Sequence, residues 1–232
     1  MKKLRGCANR LEENILPILA KPLVVLLLLV IAISCRSIEK HTTLSAELAI
    51  APADTYLSIE ERELYFKYKG NLEHIYQEVR DRYRSREVEF FVVFGIYFGS
   101  AEGFASEDKY LAVNIKTSKL FHDSKTKFGK RTAQIFSKYI KPLLKIIAEE
   151  KEMLDDSLIA GVALGVQWQA KKILPVSRYE GEMHEQIQLI VLKDNLNRYL
   201  SGELTDQQLL DRSSVFVLDD EKGNQKITIK LE

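Results

Sequence analysis

The chain has 232 residues, 46% of them hydrophobic, and 34 Lys and Arg residues stand against 33 Asp and Glu. This length is sufficient for one sizeable domain with a hydrophobic core. The near-neutral charge argues against a general nucleic-acid binder, which normally carries a strongly basic domain. Both cysteines, Cys7 and Cys35, lie near the N-terminus, so the rest of the chain has neither a disulfide nor a thiolate metal site.

The most apolar stretch is KPLVVLLLLVIAISCR, residues 21–36. Residues 23–35, which follow Lys21 and Pro22 and precede Arg36, form a run of 13 residues without a charge. A membrane-spanning helix needs at least about 17 apolar residues, whereas the apolar core of an export signal has about 7–15. Cations outnumber acids before this stretch, which holds an N-terminus in the cytoplasm. The stretch therefore predicts an export signal.

The end of this stretch, Ala32-Ile33-Ser34-Cys35, resembles the lipobox of bacterial lipoproteins. Ser34 and Cys35 match that pattern, while Ala32 stands where Leu is usual and Ile33 is a less usual choice. The resemblance implies that Cys35 is lipidated, for example with palmitate, and becomes the N-terminus after cleavage. An uncleaved signal anchor and a buried apolar helix are the alternatives.

The same resemblance implies a location. Residues 1–35 would be a signal peptide or membrane anchor, and the exported part would face the periplasm or the exterior at the bacterial cell envelope. Arg36 after the cysteine implies sorting to the outer membrane if the cell is Gram-negative.

Residues 36–56 are polar and weakly patterned, with Pro52 near their end. This composition predicts a tether, followed by a single domain at residues 57–232. The alternative is that residues 46–50 pack on the domain.

The first helix of the domain is predicted from Ser58 and Glu61, which have the spacing of a capping box. Gly70-Asn71 predicts a break in this helix. Beyond the break, apolar residues recur at helical spacing and form one face: Leu72, Ile75, Tyr76, Val79 and Tyr83.

Two strands are predicted next. Residues 88–98, VEFFVVFGIYF, are β-branched and aromatic throughout, which indicates a central strand buried on both faces. Residues 110–116 alternate between apolar and polar, which is typical of a half-exposed strand. The two strands are expected to form an antiparallel hairpin.

The strongest helical pattern covers residues 128–154. Pro142 lies inside it and has no N–H to donate to the preceding turn. We therefore expect a kink or two abutting helices.

Residues 159–170 return to a period of two, with Val162, Leu164, Val166 and Trp168 on one face. The opposite face carries Gly and Ala at its start and Gln further on. It predicts either a close approach of another backbone or a shallow exposed binding groove. Residues 180–189 alternate as the return strand of a second hairpin.

Two short helices, at residues 194–200 and 205–212, and a third hairpin, at residues 215–218 and 225–231, complete the pattern. This order predicts an α+β fold with a mainly antiparallel sheet, a long kinked helix and shorter helices on one face of the sheet.

The sequence contains no recognised catalytic motif. There is no phosphate-binding loop, nucleophile elbow or dinucleotide fingerprint. The four histidines, His41, His74, His122 and His184, have no metal-binding or catalytic spacing. His74 and Glu78 form an i, i+4 pair, for which a surface contact is the commoner meaning. We assign no catalytic residue, metal or cofactor.

A basic cluster precedes and opens the long helix: Lys125, Lys127, Lys130 and Arg131. Cations at a helix N-terminus oppose the helix dipole, and a bound anion would relieve this. The cluster predicts a site for an anionic lipid, cell-wall carboxylates or an acidic envelope protein. The alternative is a solvated basic loop.

The resulting functional hypothesis is a membrane-anchored envelope lipoprotein with a non-catalytic binding or assembly role and no nucleic-acid partner. The alternatives are a tethered enzyme with a dispersed active site and a single-pass subunit of a membrane complex.

Overall fold

The structure, a computed structural model, describes residues 45–83, 86–100, 108–173, 180–219 and 223–231. The predicted signal segment with Cys35 and the first part of the predicted tether lie outside these ranges. The described chain combines helices with one seven-stranded, mostly antiparallel sheet. This confirms the prediction of a mixed helix and strand fold with a mainly antiparallel sheet.

The strands are β1 (Val88–Phe90), β2 (Ile96–Gly99), β3 (Lys109–His122), β4 (Ile159–Ile173), β5 (Glu180–Leu192), β6 (Ser214–Asp219) and β7 (Gly223–Lys226). Their order is β1-β3-β4-β5-β6-β7, and β2 also pairs with β3. The predicted hairpins are present as antiparallel pairs, although β7 is shorter than predicted. Strands β3 and β4 run parallel, and the helices between them supply the crossover that a parallel pair needs.

The helices are α1 (Ala46–Ala49), α2 (Ile59–Arg82), α3 (Phe128–Ile135), α4 (Lys141–Ala148), α5 (Lys151–Leu154), α6 (Lys193–Leu200) and α7 (Asp206–Asp211). A 3-10 turn covers Ala53–Thr55, and a π turn, Phe136–Ile140, joins α3 to α4.

The second half of the predicted tether is packed on the domain. Ala49, Ile50 and Ala51 are buried. Ile50 forms a parallel bridge with Ile96, to whose carbonyl the Ala51 N–H donates at 3.0 Å. The alternative in which residues 46–50 pack is therefore confirmed, and the tether prediction is wrong for this half. Three consecutive apolar side chains gain more from burial than from exposure in a linker.

Helix α2 begins as predicted, with the Ser58 side chain as its cap. The predicted break at Gly70-Asn71 lies two residues from the actual irregularity: both residues are helical, but Tyr68, with φ −115° and ψ 16°, is not, so α2 is kinked there. Leu64 and Leu72, on either side of the glycine, are buried. Each such burial is worth about 1.5–3 kcal/mol, which exceeds the roughly 1 kcal/mol that a helical glycine costs.

The prediction of one central strand at residues 88–98 is wrong. Strands β1 and β2 are two short strands at the edge of the sheet, separated by a turn at residues 91–95. Strand β3 lies inside the sheet, and residues 109–113 are buried, so it is not half-exposed there. A continuous apolar run fits a buried strand and an interrupted edge strand equally well.

The long helix is interrupted as expected from Pro142. The π turn lies just before α4, and Pro142 is near the start of α4. Because Pro142 cannot donate to the Lys138 carbonyl, that oxygen is available to the Tyr83 hydroxyl, which donates to it at 3.0 Å. The prediction of a kink or abutting helices is confirmed.

The main core lies between the helices and one face of the sheet. The four apolar residues predicted for one face of β4 are fully buried there, together with residues of α2, α3, α4 and α6. On the opposite face, Tyr110, Ala112, Ala163 and Ile190 form a smaller cluster that contains strand residues. The described helices therefore pack on one face of the sheet, as predicted.

The small residues of β4 allow close packing, which confirms the first interpretation of that face. A Cβ on Gly161 would lie 2.1 Å from the Val191 carbonyl oxygen of β5. Over Gly165, the space is filled by the side chains of Asn114 and Gln186.

Candidate functional site

A cavity of about 410 Å³ lies between the end of β3 and the α3 and π-turn segment. Its lining combines buried apolar groups with lysines: Lys119, Phe121, Lys130, Ala133, Gln134, Ile135, Ser137, Lys138 and Tyr139. Phe121, Ile135 and Tyr139 are buried and form its floor. The lysines are exposed and form its rim. Ligand pockets typically have volumes of about 300–1,000 Å³ and mostly apolar walls with a few polar groups.

Two irregular elements shape this cavity. The register of β3 against β4 shifts between Lys116 and Leu120, so β3 is bulged where it approaches the cavity. The π turn places Ser137, Lys138 and Tyr139 on the opposite wall. β-Bulges and π turns are both over-represented at functional sites, because they change the direction in which side chains point.

The positive charge at the rim comes mainly from Lys119 and Lys130. Lys138 is paired with Glu87 at 2.5 Å, and this hydrogen bond raises the pKa of Lys138. Lys119 lies over the Phe121 ring at 5.3 Å. In the part of the chain that the structure describes, neither Lys119 nor Lys130 forms a salt bridge. The rim therefore presents positive charge above an apolar floor.

The structure divides the predicted anion-binding cluster. Lys130 lines the cavity, whereas Lys125 and Lys127 are exposed on the turn before α3 and do not line it. Arg131 is only 2% exposed and forms a bidentate pair with Glu185, with nitrogen to oxygen distances of 3.0 and 2.8 Å. The prediction that Arg131 binds an external anion is therefore wrong.

The buried Arg131 belongs to a network that fixes α3 on the sheet. Its Nη1 donates to Asp123 Oδ1 at 2.5 Å and to the Thr126 carbonyl at 2.6 Å. Glu185 Oε2 also accepts from Trp168 Nε1 at 2.7 Å. These contacts join the turn before α3 to β4 and β5, and so position one wall of the cavity.

Glu185 was not among the predicted site residues, although its position in the sequence carried a signal. Glu185 shares its face of β5 with Ile187 and Leu189, so the alternation places an acid in the core. A buried carboxylate requires a cationic partner. The partner, Arg131, is 54 residues away in the chain, and only the fold brings the two together.

A second cavity, which is polar and has a volume of about 290 Å³, opens at the bulge of β3. Its lining is charged or polar apart from Trp168 and includes Glu89, Lys116, Gln167 and His184. It begins where the small residues of β4 end. It adjoins Gln167 and Gln169, at the end of the face for which a groove was the alternative prediction.

His74 lies beside two glutamates. Its Nδ1 lies 2.5 Å from Glu150 Oε1, while Asn71 Nδ2 donates to Glu150 Oε2 at 2.6 Å. The predicted contact with Glu78 is present at 3.6 Å. The hydrogen bond to Glu150 raises the pKa of His74, which favours the imidazolium ion. This arrangement suits an ion pair between α2 and the start of α5 better than a general base.

His184 is exposed at the second cavity and His122 ends β3, while His41 lies outside the described residues. Within the described ranges, no group of three or more His, Cys, Asp or Glu residues could hold a metal ion. None of the helices in these ranges has the length and apolar character needed to cross a bilayer.

Comparison of the chain with protein-family models, curated proteins and solved structures gave no match.

Proposed function

We propose that this chain is a bacterial envelope lipoprotein anchored through Cys35, and that its α+β domain is a non-catalytic module that binds an amphipathic anion. The proposed location is the membrane surface facing the periplasm or the exterior. In a Gram-negative cell it would be the outer membrane, since Arg36 follows the cysteine. The anchor rests on the lipobox-like sequence and on the short apolar stretch before it.

The observation that supports binding is the cavity with an apolar floor and a lysine rim. An aliphatic chain would replace water against Phe121, Ile135 and Tyr139, with a gain of about 0.8 kcal/mol per buried CH₂ group. A carboxylate or phosphate at the mouth would approach Lys119 and Lys130. The proposed ligand class is therefore a fatty acid or a related acyl phosphate.

The composition of the lining supports binding rather than catalysis. Among the described residues that line the cavity there is no carboxylate or imidazole. These are the groups that most often transfer protons in hydrolytic enzymes. Tyr139, whose pKa is raised by burial, stays neutral at physiological pH.

A charge reversal at the rim tests the binding proposal. Lys130→Glu is expected to weaken binding of dansylaminoundecanoic acid, a fluorescent fatty acid, by roughly five- to thirtyfold. This corresponds to about 1–2 kcal/mol for replacing attraction with repulsion near the protein surface. Ser137→Trp, which fills the mouth of the cavity from an exposed position, should abolish binding. Fluorescence titration of the purified chain measures both effects.

Lys125→Glu is the matched control, because Lys125 is also exposed near α3 but does not line the cavity. Its affinity should stay within about twofold of the unmodified chain. Equal weakening by both charge reversals would indicate attraction to the general surface charge and would contradict the site. Absence of probe binding to the unmodified chain would do the same.

The anchor is tested by intact-mass analysis of protein extracted from its native membrane. We expect a chain that begins at a lipidated Cys35. Cys35→Ser should retain the full-length, unmodified mass, because the acylated thiol is lost. Cys7→Ser should leave the processed mass unchanged, since Cys7 would be removed with the signal. A full-length mass for the unmodified protein would replace the lipid anchor with an uncleaved signal anchor.

A further inference from the structure

Three large apolar side chains are exposed on adjoining backbone at one edge of the sheet: Leu48 (51%), Val92 (59%) and Phe94 (54%). The Val93 N–H donates to the Leu48 carbonyl at 2.7 Å, which brings α1 beside the turn between β1 and β2. We call these three residues the edge patch. Contiguous exposed apolar residues often mark an interaction surface.

The turn that carries two of these residues is held in a strained conformation. Val93 has a φ of 66°, a region that β-branched residues rarely adopt. Asn114 maintains the turn, since its N–H donates to the Gly95 carbonyl at 2.6 Å and its side chain donates to the Phe94 carbonyl at 2.9 Å. Despite this strain, Val92 and Phe94 remain in contact with water. The turn therefore holds these two apolar side chains at the surface.

The position of the edge patch along the chain indicates its partner. Ser45, where the described chain begins, is ten residues after Cys35. Ten residues span at most about 35 Å when fully extended. Leu48 follows three residues later, so one of the three residues of the patch lies on the segment through which the domain would be attached, and the other two adjoin it. This step rests on the proposed lipid anchor.

The surroundings of the edge patch fit the boundary between lipid headgroups and acyl chains. Phe94 packs edge-on against Tyr97, with ring centroids 5.6 Å apart, and Lys116 lies over the Phe91 ring at 4.8 Å. Tyrosine and lysine are common at this depth because they combine an apolar body with a polar end. Glu47, next to Leu48, is exposed, so strong attraction to anionic lipids is not expected.

We infer that Leu48, Val92 and Phe94 insert into the surface of the membrane that holds the anchor, so that the domain lies on the bilayer instead of standing away from it. Apolar burial, rather than charge, drives this contact. The partner is the lipid surface itself, including an uncharged one.

A spin label at Val92 tests this inference on the processed, lipidated protein in phosphatidylcholine vesicles. In that protein Cys7 is removed and Cys35 is acylated, so Val92→Cys supplies a unique thiol. Power-saturation spectroscopy should show that the nitroxide is accessible to oxygen and shielded from a water-soluble nickel complex. Phe66→Cys is the matched control, because Phe66 is also exposed, by 66%, but belongs to α2 and not to the edge patch. Its label should remain accessible to the nickel complex.

Equal access of the nickel complex to both labels would overturn the inference. Dipolar broadening of the Val92 label that grows with protein density would also overturn it, because a second copy of the chain would then cover the patch. The mass of the processed protein is measured on the same samples. A correct lipidated mass with a water-exposed Val92 label would reject membrane docking alone, whereas a full-length mass would reject the lipid anchor.

Discussion

Replacing Arg131 with methionine is expected to lower the free energy of unfolding by about 3–5 kcal/mol. Glu185, whose side chain is only 1% exposed, would lose both hydrogen bonds of the bidentate pair. Trp168 Nε1 would still donate to it, but a neutral indole cannot replace the positive charge of the Arg131 guanidinium. Removing one member of a buried ion pair therefore costs far more than the net value of the pair.

This cost can be separated from the loss of packing by a second substitution. In the Arg131→Met, Glu185→Gln variant the buried carboxylate charge is removed as well, and the amide oxygen can still accept from Trp168. The loss should fall to about 1–3 kcal/mol, the cost of imperfectly paired buried polar groups. Urea denaturation followed by circular dichroism measures these differences. Emission from Trp168, the single tryptophan, reports on the network directly.

Lys130→Met is the control, because it removes the neighbouring positive charge from an exposed position. Its effect on the free energy of unfolding should stay within about 0.5 kcal/mol. If Arg131→Met and Lys130→Met had similar effects, or if the second substitution recovered nothing, the buried pair would not have the role assigned to it.

Gly161→Ala is expected to destabilise the protein by about 1–3 kcal/mol, the usual range for overpacking. The new methyl group would lie 2.1 Å from the Val191 carbonyl oxygen and 3.0 Å from the Leu192 Cα. Both are backbone atoms of β5, which is paired with β4 from Gly161 to Ile173. Relief would require the two strands to separate locally. Thermal and urea denaturation measure the loss.

Gly70→Ala gives the opposite expectation and serves as the control. A Cβ at Gly70 meets no atom within 4 Å, and the residue lies in the middle of α2. Alanine there should stabilise the protein by about 0.5–1 kcal/mol, because it restricts the unfolded chain and favours the helix. A Gly161→Ala variant as stable as the unmodified protein would show that β5 is not held as closely as the structure indicates.

Several local features were predictable because their causes are local. The Ser58 cap, the interruption near Pro142 and the apolar face of β4 each depend on residues within a few positions of one another. Neighbouring strands joined by short connections also pair in predictable hairpins. For such features, backbone geometry and the period of the apolar residues are sufficient.

The candidate site was predictable only in part. Lys130 belongs to the predicted basic cluster, but the same cluster includes Arg131, which faces the core. Two adjacent residues of a helix point in directions about 100° apart, so charge density along the chain does not distinguish them. Lys119 and Tyr139 meet at the cavity because β3 and the π turn pack together.

Residue spacing and composition were thus sufficient for the helices, the hairpins and the one-sided packing, since these follow from short-range geometry and apolar periodicity. Only the tertiary structure revealed four features: the edge position of β1 and β2, the parallel pairing of β3 with β4, the packing of residues 46–50 and the pairing of Arg131 with Glu185. Each of these depends on which segments, distant in the chain, pack together and exclude water. That packing is determined by the whole core rather than by any one segment.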